Sequence, residues 1–148
     1  MNLEDTAHSL GYGGLIPFIA LALVSTDTIA LPGLTPVDAL AGLIAYGAII
    51  VSFMAALHWT HGLFAPWSEP AVAPKVLLWS VIPALAAWVA IWQLPARSAL
   101  IALAATLAAI LYVDHCMRNE QWFPEWFWRL RVKLTCVAAA SLLFAAFV

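Results

Sequence analysis

Apolar residues form five long runs along the chain, separated by short polar or proline-containing segments. The runs predict helices at residues 14–31, 37–58, 75–94, 97–114 and 131–148. Each run is close to the ~20 apolar residues that a helix needs to cross a ~30 Å hydrocarbon layer. The pattern therefore predicts an all-α fold, a polytopic membrane helix bundle with five transmembrane helices in a single domain over residues 1–148.

Local signals support two of these boundaries. Before the second run, Thr35 is a suitable N-cap residue, Pro36 suits the first helical position and Asp38 places an acid in the first turn. Between the third and fourth runs, Pro95 and Arg97 leave space for only a tight turn. The third and fourth helices are therefore predicted to be antiparallel neighbours.

Composition favours a membrane environment over a soluble one. The chain is 65% hydrophobic and 9% charged, whereas a typical soluble domain has about 25% charged residues. So few charges could not cover the surface of a soluble protein of this size, so membrane lipid is the expected surrounding. The net charge of -2 provides no basic surface, and nucleic acid is therefore not an expected partner.

The distribution of basic residues predicts an orientation. An odd number of spans places the two termini on opposite faces of the membrane. One face would carry five basic residues and the other only Arg97; the five are Lys75, Arg118, Arg129, Arg131 and Lys133. The positive-inside rule then predicts a cytoplasmic N-terminus and an outward C-terminus.

In this orientation all four histidines map to the cytoplasmic side. His58 and His61 are spaced i, i+3 and would share a face if the second helix extends past Trp59. Asp114 and His115 lie where the fourth helix would leave the membrane. The residues predicted for a metal site are His58, His61, Asp114 and His115, and those for a haem or quinone site are His58, Trp59 and His115.

Simpler interpretations of these residues remain open. Histidines and an aspartate at the membrane boundary can be hydrated or can hydrogen-bond helix ends, and an HxxH pair alone lacks the further spacing of a specific zinc motif. The cofactor, if there is one, stays unknown. No set of catalytic residues stands out, which favours a protein that is not an enzyme. No ionisable residue lies near the middle of a predicted span, so ion or proton transport is not expected.

Small residues recur at helical spacing in the second run, where they allow close approach of helix backbones. They are Ala41, Ala45, Ala48, Ser52, Ala55 and Ala56. They could serve internal packing, or they could bind a helix of another subunit or of a second copy. The first functional hypothesis is therefore a non-enzymatic subunit or assembly helper of a larger membrane complex. The alternative is a membrane protein that binds a redox cofactor, a metal or a quinone through the cytoplasmic-side histidines.

Five segments, in order along the chain, resemble one protein family. They are residues 10–18 (LGYGGLIPF), residues 46–53 (YGAIIVSF), the dipeptide His58-Trp59, residues 79–83 (WSVIP) and residues 126–131 (WFWRLR). Together they resemble the transmembrane-protein-69-like family, also called domain of unknown function 3429. The resemblance implies a multi-pass protein, here expected in the bacterial cytoplasmic (inner) membrane. Among the histidines, only His58 falls on the family pattern.

Overall fold

A computed structural model describes residues 2–65, 71–117 and 124–148. It contains five helices, each long and apolar enough to cross a membrane. They are α1 (Leu3–Ser25), α2 (Pro36–Phe64), α3 (Val72–Gln93), α4 (Ala96–Cys116) and α5 (Glu125–Phe147). The prediction of an all-α bundle with five candidate membrane spans is confirmed.

The boundaries of α1 differ from the predicted run at residues 14–31. The helix begins at Leu3 because the side chain of Asn2 caps it, accepting a hydrogen bond from the backbone N–H of Asp5 at 2.8 Å. It ends at Ser25, and Asp27 then adopts a left-handed backbone conformation with φ of 55°. The remaining apolar residues before α2 therefore belong to the connection and not to the helix.

The predicted start of α2 is confirmed in detail. The Thr35 hydroxyl accepts a hydrogen bond from the backbone N–H of Asp38 at 3.1 Å and donates one to the Asp38 carboxylate at 2.6 Å. Pro36 occupies the first turn, where a backbone N–H has no partner in the helix. The helix continues to Phe64, past the predicted end at residue 58, and so keeps His58 inside regular helical structure.

Helix α2 lies at the centre of the bundle. Within the described residues it contacts all four other helices, whereas α1 and α3 do not contact each other. Helices α3 and α4 are adjacent, as predicted, and α4 also packs against α5. Side chains on one side of α2 therefore face the interior, while a strip between α1 and α3 remains uncovered.

Two buried seams run along α2 and α4 with the three- and four-residue spacing of a helix face. On α4 the buried residues include Leu100, Leu103, Leu107 and Ile110, and Asp114 continues the same series. On α2 the series is Leu43, Gly47, Val51, Ala55 and His58. Both seams therefore lead from an apolar core to a polar residue near the same end of the bundle.

Candidate functional site

Three polar side chains meet where α2 and α4 end and α5 begins. His58, Asp114 and Arg131 have exposed fractions of 0%, 2% and 3%. Helical spacing explains their burial, because each lies on the core-facing side of its helix. We refer to these three residues as the buried cluster.

The centre of the buried cluster is an ion pair between α4 and α5. The Nε of Arg131 donates to Oδ2 of Asp114 at 2.7 Å, and its Nη2 contacts the same oxygen. Hydrogen bonds between ionised groups are stronger than neutral ones. Each charge would be costly to bury alone, so the pairing makes both tolerable inside the bundle.

Helix α2 contributes two further contacts to this ion pair. The Nε2 of His58 lies 3.0 Å from Oδ1 of Asp114. The Sδ of Met54, one turn earlier, accepts from Nη1 of Arg131 at 3.2 Å. The ring of Trp79 on α3 packs edge-on against the imidazole of His58, with 6.5 Å between centroids. The buried cluster thus joins α2, α4 and α5, with an α3 ring against it.

The structure brings together some of the predicted site residues and separates others. His58 and Asp114 meet, and the interpretation that they are hydrated at the membrane boundary is wrong because both are excluded from solvent. Trp59 is 50% exposed, and His61 is partly buried. His115 is exposed, and its ring lies 5.8 Å from that of Trp128.

The predicted metal site at His58, His61, Asp114 and His115 stays a prediction. Across residues 2–65, 71–117 and 124–148, no three side chains among His, Cys, Asp and Glu are placed to hold one metal ion. The guanidinium of Arg131 already occupies the carboxylate of Asp114 and would repel a second cation there.

Sequence analysis did not identify Arg131 as a member of the site. The sequence places it only among the five basic residues of one predicted membrane face. The signal that could have found it is helical spacing, since Arg131 lies seven residues before Ala138 and ten before Ser141, both buried on α5. This spacing places Arg131 on the core face, where a cation needs a partner such as Asp114.

Chemically, the buried cluster connects helices α2, α4 and α5 through polar side chains. The positive charge of Arg131 balances the negative charge of Asp114, and their side chains are nearly inaccessible to a solute. Oδ2 of Asp114 accepts a hydrogen bond from Arg131, whereas Oδ1 is buried 3.0 Å from Nε2 of His58 without the geometry of a hydrogen bond. The arrangement is that of a structural polar contact whose members come from three different helices.

Comparisons with known proteins agree with this picture of a membrane bundle. Residues 3–147 match a family described as "Protein of unknown function (DUF3429)". The chain is 33% identical over 135 residues to Transmembrane protein 69 of Xenopus tropicalis, covering 90% of this chain and 50% of that protein. The chain thus spans about half the length of this curated relative. No solved structure matches. The chain belongs to the DUF3429 family of transmembrane proteins.

Proposed function

We propose that this protein is a non-enzymatic subunit or assembly helper of a larger membrane complex, and that it binds a helix of a partner protein. The observation that carries the proposal is a strip of exposed residues along the central helix α2. They are Ala41, Ala45, Ile49, Phe53 and Ala56, which we call the docking stripe. Their spacing of three or four residues places them on one side of α2.

The docking stripe lies between two helices that do not meet. On one side of it, Tyr46 donates a hydrogen bond to the Gly14 carbonyl of α1 at 2.9 Å. On the other side, Gly62 faces Leu77 of α3. Because α1 and α3 make no contact with each other in the described part of the chain, the surface of α2 between them carries the exposed residues of the docking stripe. A helix laid there would contact three helices of this chain at once.

Two small residues favour a helix as the occupant of the docking stripe. Ala41 and Ala45 are four residues apart and exposed, whereas Ala48 and Ala55 are buried and already serve packing inside the bundle. Small residues at this spacing allow two helix backbones to approach closely in a membrane, where dispersion contacts favour association. Internal packing therefore leaves Ala41 and Ala45 available for a partner.

The proposal can be tested by placing a photo-reactive amino acid at Ala45 in native membranes. We expect a discrete crosslinked product that contains one partner protein. The matched control is Ala105 on α4, which is also exposed and lies nine residues after the start of its helix, as Ala45 does. The same probe at Ala105 should give no discrete product.

A bulky substitution tests the same surface without a probe. We expect Ala45→Leu to remove a partner that co-purifies in stoichiometric amount in a gentle detergent, and Ala105→Leu to retain it. A wild-type chain that consistently purifies alone, with no crosslink from Ala45, would contradict the proposal. A crosslinked product made only of this chain would instead identify the docking stripe as a contact between copies.

A further inference from the structure

The surface of the bundle has an apolar groove between α1 and α5, with a volume of about 400 Å³. Ala22 and Ser141 are only 2% and 9% exposed and form its floor. Ile19 and Phe144 are 44% and 39% exposed and form its sides. The hydroxyl of Ser141 donates within its own helix, to the carbonyl of Val137 at 2.9 Å. The groove therefore offers an apolar lining with small side chains at its base.

The position and length of the groove match one leaflet of a membrane. On α5 it runs from Cys136, near the middle of the 23-residue helix, to Phe144 near the end of the helix. The distance along the helix axis is ~12 Å at a rise of ~1.5 Å per residue. Half of a ~30 Å hydrocarbon layer is ~15 Å. The groove thus has the length of one lipid acyl chain that reaches from the membrane surface towards the middle.

Two opposite charges lie at the end of the bundle where the groove ends. Asp27 follows the end of α1 and is exposed. Arg97 is exposed at the start of α4, and its Cζ lies 4.9 Å from the centre of the Phe147 ring. Phe147 comes three residues after Phe144 and is therefore on the same side of α5. A guanidinium binds a phosphate well, and a carboxylate binds an ammonium group.

We propose that the groove binds one acyl chain of a zwitterionic phospholipid, with the headgroup phosphate at Arg97 and the ammonium group at Asp27. In a membrane, association between apolar groups depends on close dispersion contacts. A chain in the groove gains such contacts from its floor and from both sides. An anionic phospholipid without an ammonium group would place its negative charge near the carboxylate of Asp27, which is unfavourable.

Lipid retention by the purified chain tests the proposal. The protein is reconstituted in vesicles of equal parts phosphatidylethanolamine and phosphatidylglycerol, extracted in a gentle detergent and measured by native mass spectrometry. We expect one retained phospholipid per chain, predominantly phosphatidylethanolamine. Ala140 is exposed and lines the groove, so Ala140→Phe should fill it and abolish retention. Ala105 is exposed on α4, and Ala105→Phe is the matched control that should retain the lipid.

Two charge variants test the headgroup contacts. Asp27→Asn removes the charge and keeps the backbone, because asparagine also tolerates the left-handed φ of 55°. Arg97→Gln removes the opposite charge. Each variant should lower the retention of phosphatidylethanolamine roughly two- to fivefold, the range expected for one exposed ion pair. Lys75 is an exposed cation at the other end of the bundle, so Lys75→Gln should leave retention unchanged.

A wild-type chain that retains no lipid, or retains both phospholipids equally, would overturn the proposal. Unchanged retention in folded Ala140→Phe, or in both charge variants, would also overturn it. If Ala140→Phe does not fold, the decision passes to the charge variants, whose substituted side chains are exposed. Every measurement uses the purified chain alone and needs no partner protein. Absence of a crosslink from Ala45 would therefore remove the proposed function and leave the lipid site standing.

Discussion

The two opposite charges of Asp114 and Arg131 are each tolerated only because of the other. Their exposed fractions are 2% and 3%, so removing one partner leaves the other charge buried without compensation. We expect Asp114→Asn or Arg131→Met alone to lower the free energy of unfolding by about 3 to 5 kcal/mol. The measurement is unfolding by a denaturing detergent in mixed micelles, followed by loss of helical content.

The double variant separates the ion pair from general packing. When both charges are removed, no uncompensated charge remains, and a buried pair replaced by groups of similar shape often costs little. The variant with both Asp114→Asn and Arg131→Met should therefore be more stable than either single variant. Additive losses in the double variant would show that the two side chains do not depend on each other.

Sequence reasoning predicted part of the site and missed part for a physical reason. His58 and Asp114 are predicted because the five-span topology places the histidines on one face and puts Asp114 where the fourth helix leaves the membrane. Arg131 is predicted only as one of five basic residues on one membrane face, and Arg129 and Lys133 lie close to it in the sequence. The rotation of α5 decides which of the three nearby cations faces the interior. Only the spacing of Arg131 from buried residues such as Ala138 reveals that rotation.

At the scale of the elements, the contact between α2 and α3 depends on the absence of a side chain at Gly62. A Cβ at this position would lie 2.9 Å from Cγ of Leu77 and 3.4 Å from its backbone nitrogen. Since Cγ is close to the backbone, Leu77 cannot easily move away. We expect Gly62→Ala to lose about 1 to 3 kcal/mol through overpacking, against a gain of up to about 1 kcal/mol in helix propensity.

Gly13 provides the control for this prediction. It also lies inside a helix, but a Cβ there would meet no atom of the described residues within 4 Å. Gly13→Ala should therefore leave the bundle equally stable or stabilise it by up to about 1 kcal/mol. Both variants would be compared in the same detergent unfolding assay. An equal response of the two glycines would contradict a specific close contact between α2 and α3.

The elements themselves were largely predictable because a long apolar run in lipid has few alternatives to a helix. The cap formed by Thr35 shows how far local signals extend, since its predicted position is confirmed. The ends of α1 were not predicted. Hydropathy alone does not show that the polar first turn capped by Asn2 belongs to the helix. It also does not show that the apolar residues after Ser25 lie outside the helix.

At the scale of the whole molecule, the predicted orientation in the membrane depends on which basic residues remain exposed in the fold. Arg131 is buried against Asp114, so it is not available to interact with a membrane surface. Arg118 lies outside the described residues. Lys75, Arg129 and Lys133 remain exposed at the end where α2 and α4 end, against Arg97 at the other. The positive-inside rule therefore still predicts a cytoplasmic N-terminus, but this prediction uses fewer basic residues than the count from the sequence alone.

Two positions on α4 test this orientation directly. Cys116 is exposed near one end of the helix, and Ser98 is exposed near the other. The test uses a chain with Cys136 replaced by alanine, in intact cells whose outer layers no longer block access to this membrane. An impermeant thiol reagent should modify Ser98→Cys and leave Cys116 unmodified. The reverse pattern would show that the N-terminus faces outward. Because the contacts of the buried cluster lie within the bundle, inversion of the whole chain in the membrane would leave them unchanged.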